Sequence, residues 1–191
     1  MIEELKFIAL LEEMKKTERR TPVLGTSRKE NDAEHSWHIA TMALFLQNKT
    51  PLNIDINNVV KMLLVHDLVE IFAGDTFAYD EQANLDKKER ETQAMFKLKT
   101  YLSSEMGEML ENLWLEFDDM KTDDSRYANA MDRLAPLFTN IQTGNGGTWK
   151  ENDVRLAQVL KRAEPIKIAL PDIYNYIYEE INKAVDSGYI K

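Results

Sequence analysis

The chain has 191 residues, 43% of them hydrophobic and 30% charged, the balance of an ordered, core-forming protein rather than a disordered one. With no cysteine it can build neither disulfides nor thiolate metal sites. A net charge of −9 repels polyanions and excludes a nucleic-acid polymer as the expected partner, while a few clustered cations can still hold a small anion.

No apolar run approaches the roughly 20 residues of a membrane span, so no membrane association is expected. The opening stretch MIEELKFIALLEEMKK carries acidic residues where a signal peptide is basic, and a cytoplasmic location is expected. Ile2, Leu5, Ile8, Ala9 and Leu11 recur at helical spacing and predict a first helix ending near Lys16. Lys15, Lys16, Arg19 and Arg20 form a basic patch, read equally as a solvated helix end or as a phosphate-facing one. Thr21 to Lys29 reads as a loop. A second helix starts at Asn31 or Asp32 and places His35, Ile39, Met42 and Phe45 or Leu46 on one face. Asp55 caps a third helix predicted to run to about Phe72, through VHDLVEIFAGD (Val65 to Asp75).

Residues 77–84 are irregular and read as a flap over a site. A fourth helix from about Asp86 to Leu102 has Lys87, Glu89, Glu91 and Lys97 on its wet side. A fifth, after Ser103, has Met106, Met109, Leu110, Leu113 and Trp114 as its apolar stripe. A sixth starts around Thr122 with Tyr127, Ala130, Met131, Leu134 and Leu137 apolar. Gly144 to Gly147 form a flexible loop, with Trp149 beside it as a surface contact or lid. Asp153 opens a further helix, which Pro165 ends or kinks, and Pro171 opens the last. No strand alternation is visible. The expected fold is an all-α, single-domain bundle of seven to nine helices.

The chain's three histidines, His35, His38 and His66, fall on two consecutive predicted helices. Alone, each reads more readily as a satisfied core residue than as a ligand. His35 and His66 share apolar faces with two carboxylates, Asp67 and Asp132, and four such residues on three helices point to a cation. Two imidazoles and two carboxylates suit Mn, Co, Fe, Ni or Zn and suit Mg poorly. Glu70, four residues from His66 and three from Asp67, shares their face, where a carboxylate can orient or deprotonate an attacking water. His38 reads as a core residue or a support behind the ligands.

The words Arg28-Lys29-Glu30-Asn31-Asp32-Ala33-Glu34-His35, His66-Asp67-Leu68-Val69-Glu70, Gly74-Asp75 and Ala130-Met131-Asp132-Arg133-Leu134 resemble the HD-domain metal-dependent phosphohydrolases. The likeness runs from about Arg20 to Trp149 and is greatest to the 5′-deoxynucleotidase branch. It implies an all-α bundle in which His35, His66, Asp67 and Asp132 hold one divalent ion. It implies that Glu70 positions or activates the water and that Asp75 assists or holds the sugar end. Arg20 matches an arginine placed near the substrate phosphate, and Arg28 either shares that task or ties down its loop. Thr21 stands where that branch often carries an aromatic residue. No histidine follows His66, which excludes the two-metal members that use further histidines.

The implied activity is hydrolysis of a small phosphate monoester, foremost a nucleoside 5′-monophosphate. Two alternatives stand beside it: a metal- or nucleotide-binding protein without turnover, and a phosphodiesterase or pyrophosphohydrolase acting on a larger nucleotide. The helices beyond residue 150 are expected to complete the core or the face of a homodimer.

Overall fold

A computed structural model describes residues 3–191 of the chain. Helix α1 (Glu3–Leu10) continues as a 3-10 turn to Lys15. Its buried side is Phe7, Leu10, Leu11 and Met14, whereas Leu5 and Ile8 are 50% and 59% exposed. The tightening into a 3-10 turn shifts the register of the buried face away from the one a continuous helix presents. Ile2 lies outside the described residues.

The next segment corrects the reading of a strandless chain. Strands β1 (Glu18–Pro22) and β2 (Lys29–Asn31) form an antiparallel hairpin, with Glu18 opposite Asn31 and Pro22 opposite Lys29. Strands this short offer too few positions for alternation to register.

Helix α2 (Asp32–Leu46) starts in a capping box: Asn31 Oδ1 accepts from the Glu34 amide, and the Glu34 carboxylate accepts from the Asn31 amide. Helix α3 (Ile56–Val65) is capped by Asp55, as expected, but stops at Val65 instead of running to Phe72. His66 to Val69 form a turn held by i→i−3 bonds, Leu68 N to Val65 O and Glu70 N to Asp67 O. The one-turn helix α4 (Glu70–Ala73) then ends at Gly74, whose φ of 74° belongs to glycine.

Five longer helices and one short one complete the chain. They are α5 (Lys87–Lys99), α6 (Ser104–Asp119), α7 (Asp123–Gln142), α8 (Gly147–Glu151), α9 (Leu156–Ala169) and α10 (Pro171–Asp186), which bring the α-helices among the described residues to ten. The excess over seven to nine comes from the break at Val65 and from the short α8.

Helix α7 is the axis of the molecule, packing against α2, α3, α6, α9 and α10. Its predicted stripe, Tyr127, Ala130, Met131, Leu134 and Leu137, is buried. Pro136 sits inside it, and Pro165 sits inside α9 without ending that helix. A second, smaller core joins Met14, Leu68, Val69, Met95, Leu98 and Trp114.

Other expectations are corrected by burial. Trp149 is fully buried in the main core and is no lid; its indole N–H donates to the Tyr79 hydroxyl at 3.3 Å. Asp153 has a left-handed φ of 53° and precedes α9 rather than opening it. On α5, Glu91 is buried and Lys87 half-buried, so that side faces inward. Met106 and Met109, each 44% exposed, lie at the edge of the α6 stripe. Among the described residues no helix is long and apolar enough to cross a membrane.

Candidate active site

Three elements converge on one point because each has a sharp local boundary. The Asn31 cap starts α2 one turn before His35, burying its ring completely. His66 still caps α3 in helical conformation, its backbone N–H bonded to the Met62 carbonyl, and the tighter i→i−3 turn that follows leaves Asp67 Oδ2 beside its ring. Helix α7 presents Asp132 from the opposite side. The donor atoms of His35, His66 and Asp132 all lie within 4.8 Å of one another. His35 Nε2 is 3.1 Å and His66 Nε2 3.8 Å from Asp132 Oδ1. Asp67 Oδ2 lies 3.0 Å from His66 Nε2 and 3.9 Å from His35 Nε2.

The tautomer of His66 follows from its neighbour. Nδ1 lies 3.0 Å from the Leu63 carbonyl, which can only accept, so Nδ1 carries a proton. In the neutral ring Nε2 is then a lone pair, sealed from solvent and without a hydrogen-bond partner. A sealed, unpartnered nitrogen facing two carboxylates and a second imidazole is what a borderline divalent cation requires. In the metal-free protein burial opposes a charge on His66, but Asp67 and Asp132 outweigh it and push the ring up to about 10. Burial raises the Asp132 carboxyl, yet the two imidazoles and Arg162 hold it well below the usual carboxylate range.

Beside this cluster stands a second one. Asp32, Glu70 and Asp75 also bring carboxylate oxygens within 4.8 Å of one another. A buried side chain from β1, Arg19, fills the space between the clusters. Its Nη1 is 2.9 Å from Asp67 Oδ2, 3.3 Å from Asp32, 3.7 Å from Asp75 and 3.8 Å from Glu70, and its Nε is 3.4 Å from Glu30. Burial and the neighbouring Asp67 charge lift Asp32 to about 7 against the pull of Arg19. The same causes raise Glu70 well above the usual range, and Glu70 Oε2 is buried with no hydrogen-bond partner.

The two clusters floor a cavity of about 260 Å³ that His66, Asp67, Glu70, Asp75 and Asp132 all line. One wall is the irregular segment between α4 and α5, which contains residues 77–84, expected as a flap. It is pinned rather than loose: the Arg90 guanidinium donates to the Ala73 carbonyl at 2.7 Å, the Thr76 hydroxyl at 3.0 Å and the Ala83 carbonyl at 3.1 Å. Gln158 and Arg155 tie the same segment to the start of α9 through Tyr79 and Glu81.

A family model of the HD domain matches residues 11–174. The chain belongs to the HD-domain family. The 5′-deoxynucleotidase of Dictyostelium discoideum is 27% identical to this HD domain over 137 residues, 69% of this chain and 72% of that one. The human 5′-deoxynucleotidase is 27% identical over 135 residues, 70% of this chain and 65% of its own. The chain thus spans about two thirds of the length of these curated relatives. Among solved structures, a predicted metal-dependent phosphohydrolase from Magnetospirillum magnetotacticum MS-1 shares 40% identity, with a TM-score of 0.91 over 98% of this chain and 94% of that one. A protein from Pyrococcus furiosus with 24% identity and a TM-score of 0.69 shares the fold. The chain is an HD-type phosphohydrolase, a hydrolase with histidine and aspartate groups able to hold a metal ion.

Within this HD domain the residues singled out in the sequence are distributed unevenly. His35, His66, Asp67 and Asp132 meet at the first cluster, and Glu70 and Asp75 stand at the second. Arg20 lines the cavity. Arg28 lies outside it, forked onto Glu34 at 2.7 and 2.8 Å on the exposed side of the hairpin. His38 is exposed beside Trp37, not in the core, because α2 buries the edge that carries Asp32, His35, Ser36 and Ile39. Four cations at the cavity, Arg19, Lys87, Arg133 and Arg162, are not among the residues singled out as substrate contacts. Arg19 carried a signal only as part of the basic patch, Arg133 only as the neighbour of Asp132, and Arg162 none.

Proposed function

We propose that this HD-domain phosphohydrolase removes the phosphate group of a nucleoside 5′-monophosphate, with deoxynucleotides the first candidates. The observation that carries the reading is the buried Nε2 of His66, without a hydrogen-bond partner in a nest of one imidazole and two carboxylates, opening on a cavity that also holds Glu70, whose Oε2 accepts no hydrogen bond. The relatives named 5′-deoxynucleotidase support the substrate class.

His35, His66, Asp67 and Asp132 are the residues to hold a divalent ion. When bound, such an ion supplies a Lewis acid for a phosphate oxygen and lowers the pKa of water. The chain's own groups do the rest. Glu70, lifted by burial and by Asp67, is a carboxylate of enhanced basicity next to the ligands, suited to take a proton from the attacking water. Asp75, also raised by burial, stands beside it to share the proton or to accept from a sugar hydroxyl. Arg19 is neutralised by its carboxylate neighbours and keeps Asp67 and Glu70 oriented. Arg20 offers a guanidinium at the cavity wall for the phosphate oxygens.

The test is phosphate release. Protein loaded with Mn or Co and incubated with a panel of deoxy- and ribonucleoside 5′-monophosphates should liberate inorganic phosphate, fastest from a deoxynucleotide. Thermal stabilisation by nucleotides with no phosphate released from any of them refutes the proposal and favours binding without turnover.

A further inference from the structure

A second hollow, of about 640 Å³, opens beside the first. The two share Ala78, Tyr79, Met120, Arg133 and Arg162, so these residues form a neck between the metal-ligand cluster and the outer groove. Beyond the neck the groove is floored by Pro165 and Ile168 and rimmed by Glu81, Arg126, Lys161 and Glu164. The inner hollow is walled mainly by ionic groups, the outer one exposes more apolar than polar surface between charged rim residues, and two arginines stand where they join.

Those arginines differ from the other basic side chains around the site. Arg19 is surrounded by five carboxylates, Lys87 is paired with Glu91 at 3.3 Å, and Arg28 is forked onto Glu34. Arg162 reaches a single carboxylate oxygen, Asp132 Oδ2, at 3.5 Å. Arg133 has no ion-pair partner among the described residues, and its Nε is sealed from solvent without a hydrogen-bond acceptor. Two guanidinium groups held together with so little compensation leave donors unfilled, and a desolvated cation without a partner is unfavourable. A planar fork facing a cavity matches the oxygens of a phosphate.

We infer that Arg133 and Arg162 clamp the substrate's phosphate at this neck and that its leaving group lies in the outer groove. The inference rests on the phosphomonoesterase reading and deepens it. The substrate class is a phosphate monoester whose alcohol is bulky and carries a flat, largely apolar ring. The apolar floor of Pro165 and Ile168 takes the ring face. Short alkyl phosphates leave the groove empty and bind through the neck alone.

Calorimetric titration of the Mn-loaded, full-length protein separates these parts without requiring turnover. The probes are deoxyadenosine 5′-monophosphate and inorganic phosphate, and the variants are Arg162→Gln, Arg133→Gln and Ile168→Glu. Arg162→Gln and Arg133→Gln should weaken both probes by about ten- to a hundredfold, the range of a lost charge-assisted hydrogen bond. Ile168→Glu should weaken the nucleotide about tenfold or more and leave inorganic phosphate unchanged. Elemental analysis checks that Mn content stays at the wild-type level, and Arg162→Lys carries the test if a glutamine variant fails to fold, with intermediate affinity expected. Undiminished phosphate affinity in folded Arg162 variants overturns the clamp. Equal weakening of both probes by Ile168→Glu, or no binding of either probe to the wild type, overturns the assignment of the groove. If nucleotide binds through the neck but no phosphate is released, the catalytic proposal fails while the clamp stands.

Discussion

Replacing Arg19 with methionine keeps much of the side-chain stem and removes the guanidinium charge. The structure gives the size of the effect. Nη1 lies between 2.9 and 3.8 Å from carboxylate oxygens of Asp67, Asp32, Asp75 and Glu70, and the arginine side chain is only 10% exposed. A single pair of charges 4 Å apart is worth about 4 kcal/mol at an effective dielectric constant of 20, before desolvation is subtracted. Removing one partner from a buried ionic network has a net cost of about 3–5 kcal/mol. For a domain of this size the melting temperature should fall by about 6–20 °C, at about 2–4 °C per kcal/mol.

The pH dependence has a definite sign. Asp32 is raised by burial and by Asp67 to about 7 from an ordinary 3.8, with Arg19 pulling it down. A carboxyl with a raised folded-state pKa withdraws stability as pH climbs from its unfolded value through its folded one. Without Arg19 the folded-state value of Asp32 rises further, so the deficit of the variant should be largest near pH 8 and shrink towards about pH 5, where Asp32 is protonated in the folded state. Melting of metal-stripped wild type and Arg19→Met at both pH values reads this directly. Coincident melting curves at the higher pH, or a deficit that grows on acidification, would refute the role of Arg19 as internal counter-ion.

Three further outcomes are expected. Asp132→Ala should lose stoichiometric Mn on gel filtration, measured by elemental analysis, and full retention excludes Asp132 as a ligand. Glu70→Gln should keep its metal and lose about 10²–10⁴-fold in kcat on the preferred nucleotide, and an unchanged kcat excludes it as the base. Because Asp67 and Asp132 overcome the burial penalty and hold metal-free His66 at about 10, Mn loading at about pH 8 should release close to one proton per ion in weakly buffered solution. Loading without proton release contradicts the assignment of His66 as ligand.

The helical skeleton was legible because long amphipathic faces repeat many times. The α7 stripe from Tyr127 to Leu137, the cap at Asp55, one of the two candidate caps (Asn31) and the helix starts after Ser103 and around Thr122 all appear where residue type and spacing placed them. The hairpin escaped because eight strand residues cannot display a period, and Arg19 escaped with it, since only the hairpin turns that residue inward. The break after Val65 was hidden by an apolar run that continues through it. Nothing local distinguishes His66 in a turn from His66 in a helix, and the i→i−3 bonds are set by packing on both sides. The neck was illegible for another reason: Arg133 and Arg162 are 29 residues apart on different helices, and their meeting depends on how α7 and α9 pack.

Hydrogen-bond accounting gives the two interior prolines a consequence for the walls. Proline has no N–H, so the carbonyl four residues earlier in a helix loses its usual donor. For Pro136 that carbonyl belongs to Asp132, and for Pro165 it belongs to Lys161. Asp132 lines the inner cavity and Lys161 the outer groove. Each hollow is therefore bordered by a helix whose backbone has an acceptor to spare at a residue that also lines it. Both walls thus carry a missing rung of main-chain hydrogen bonding beside the site, one that no side-chain substitution at Asp132 or Lys161 restores.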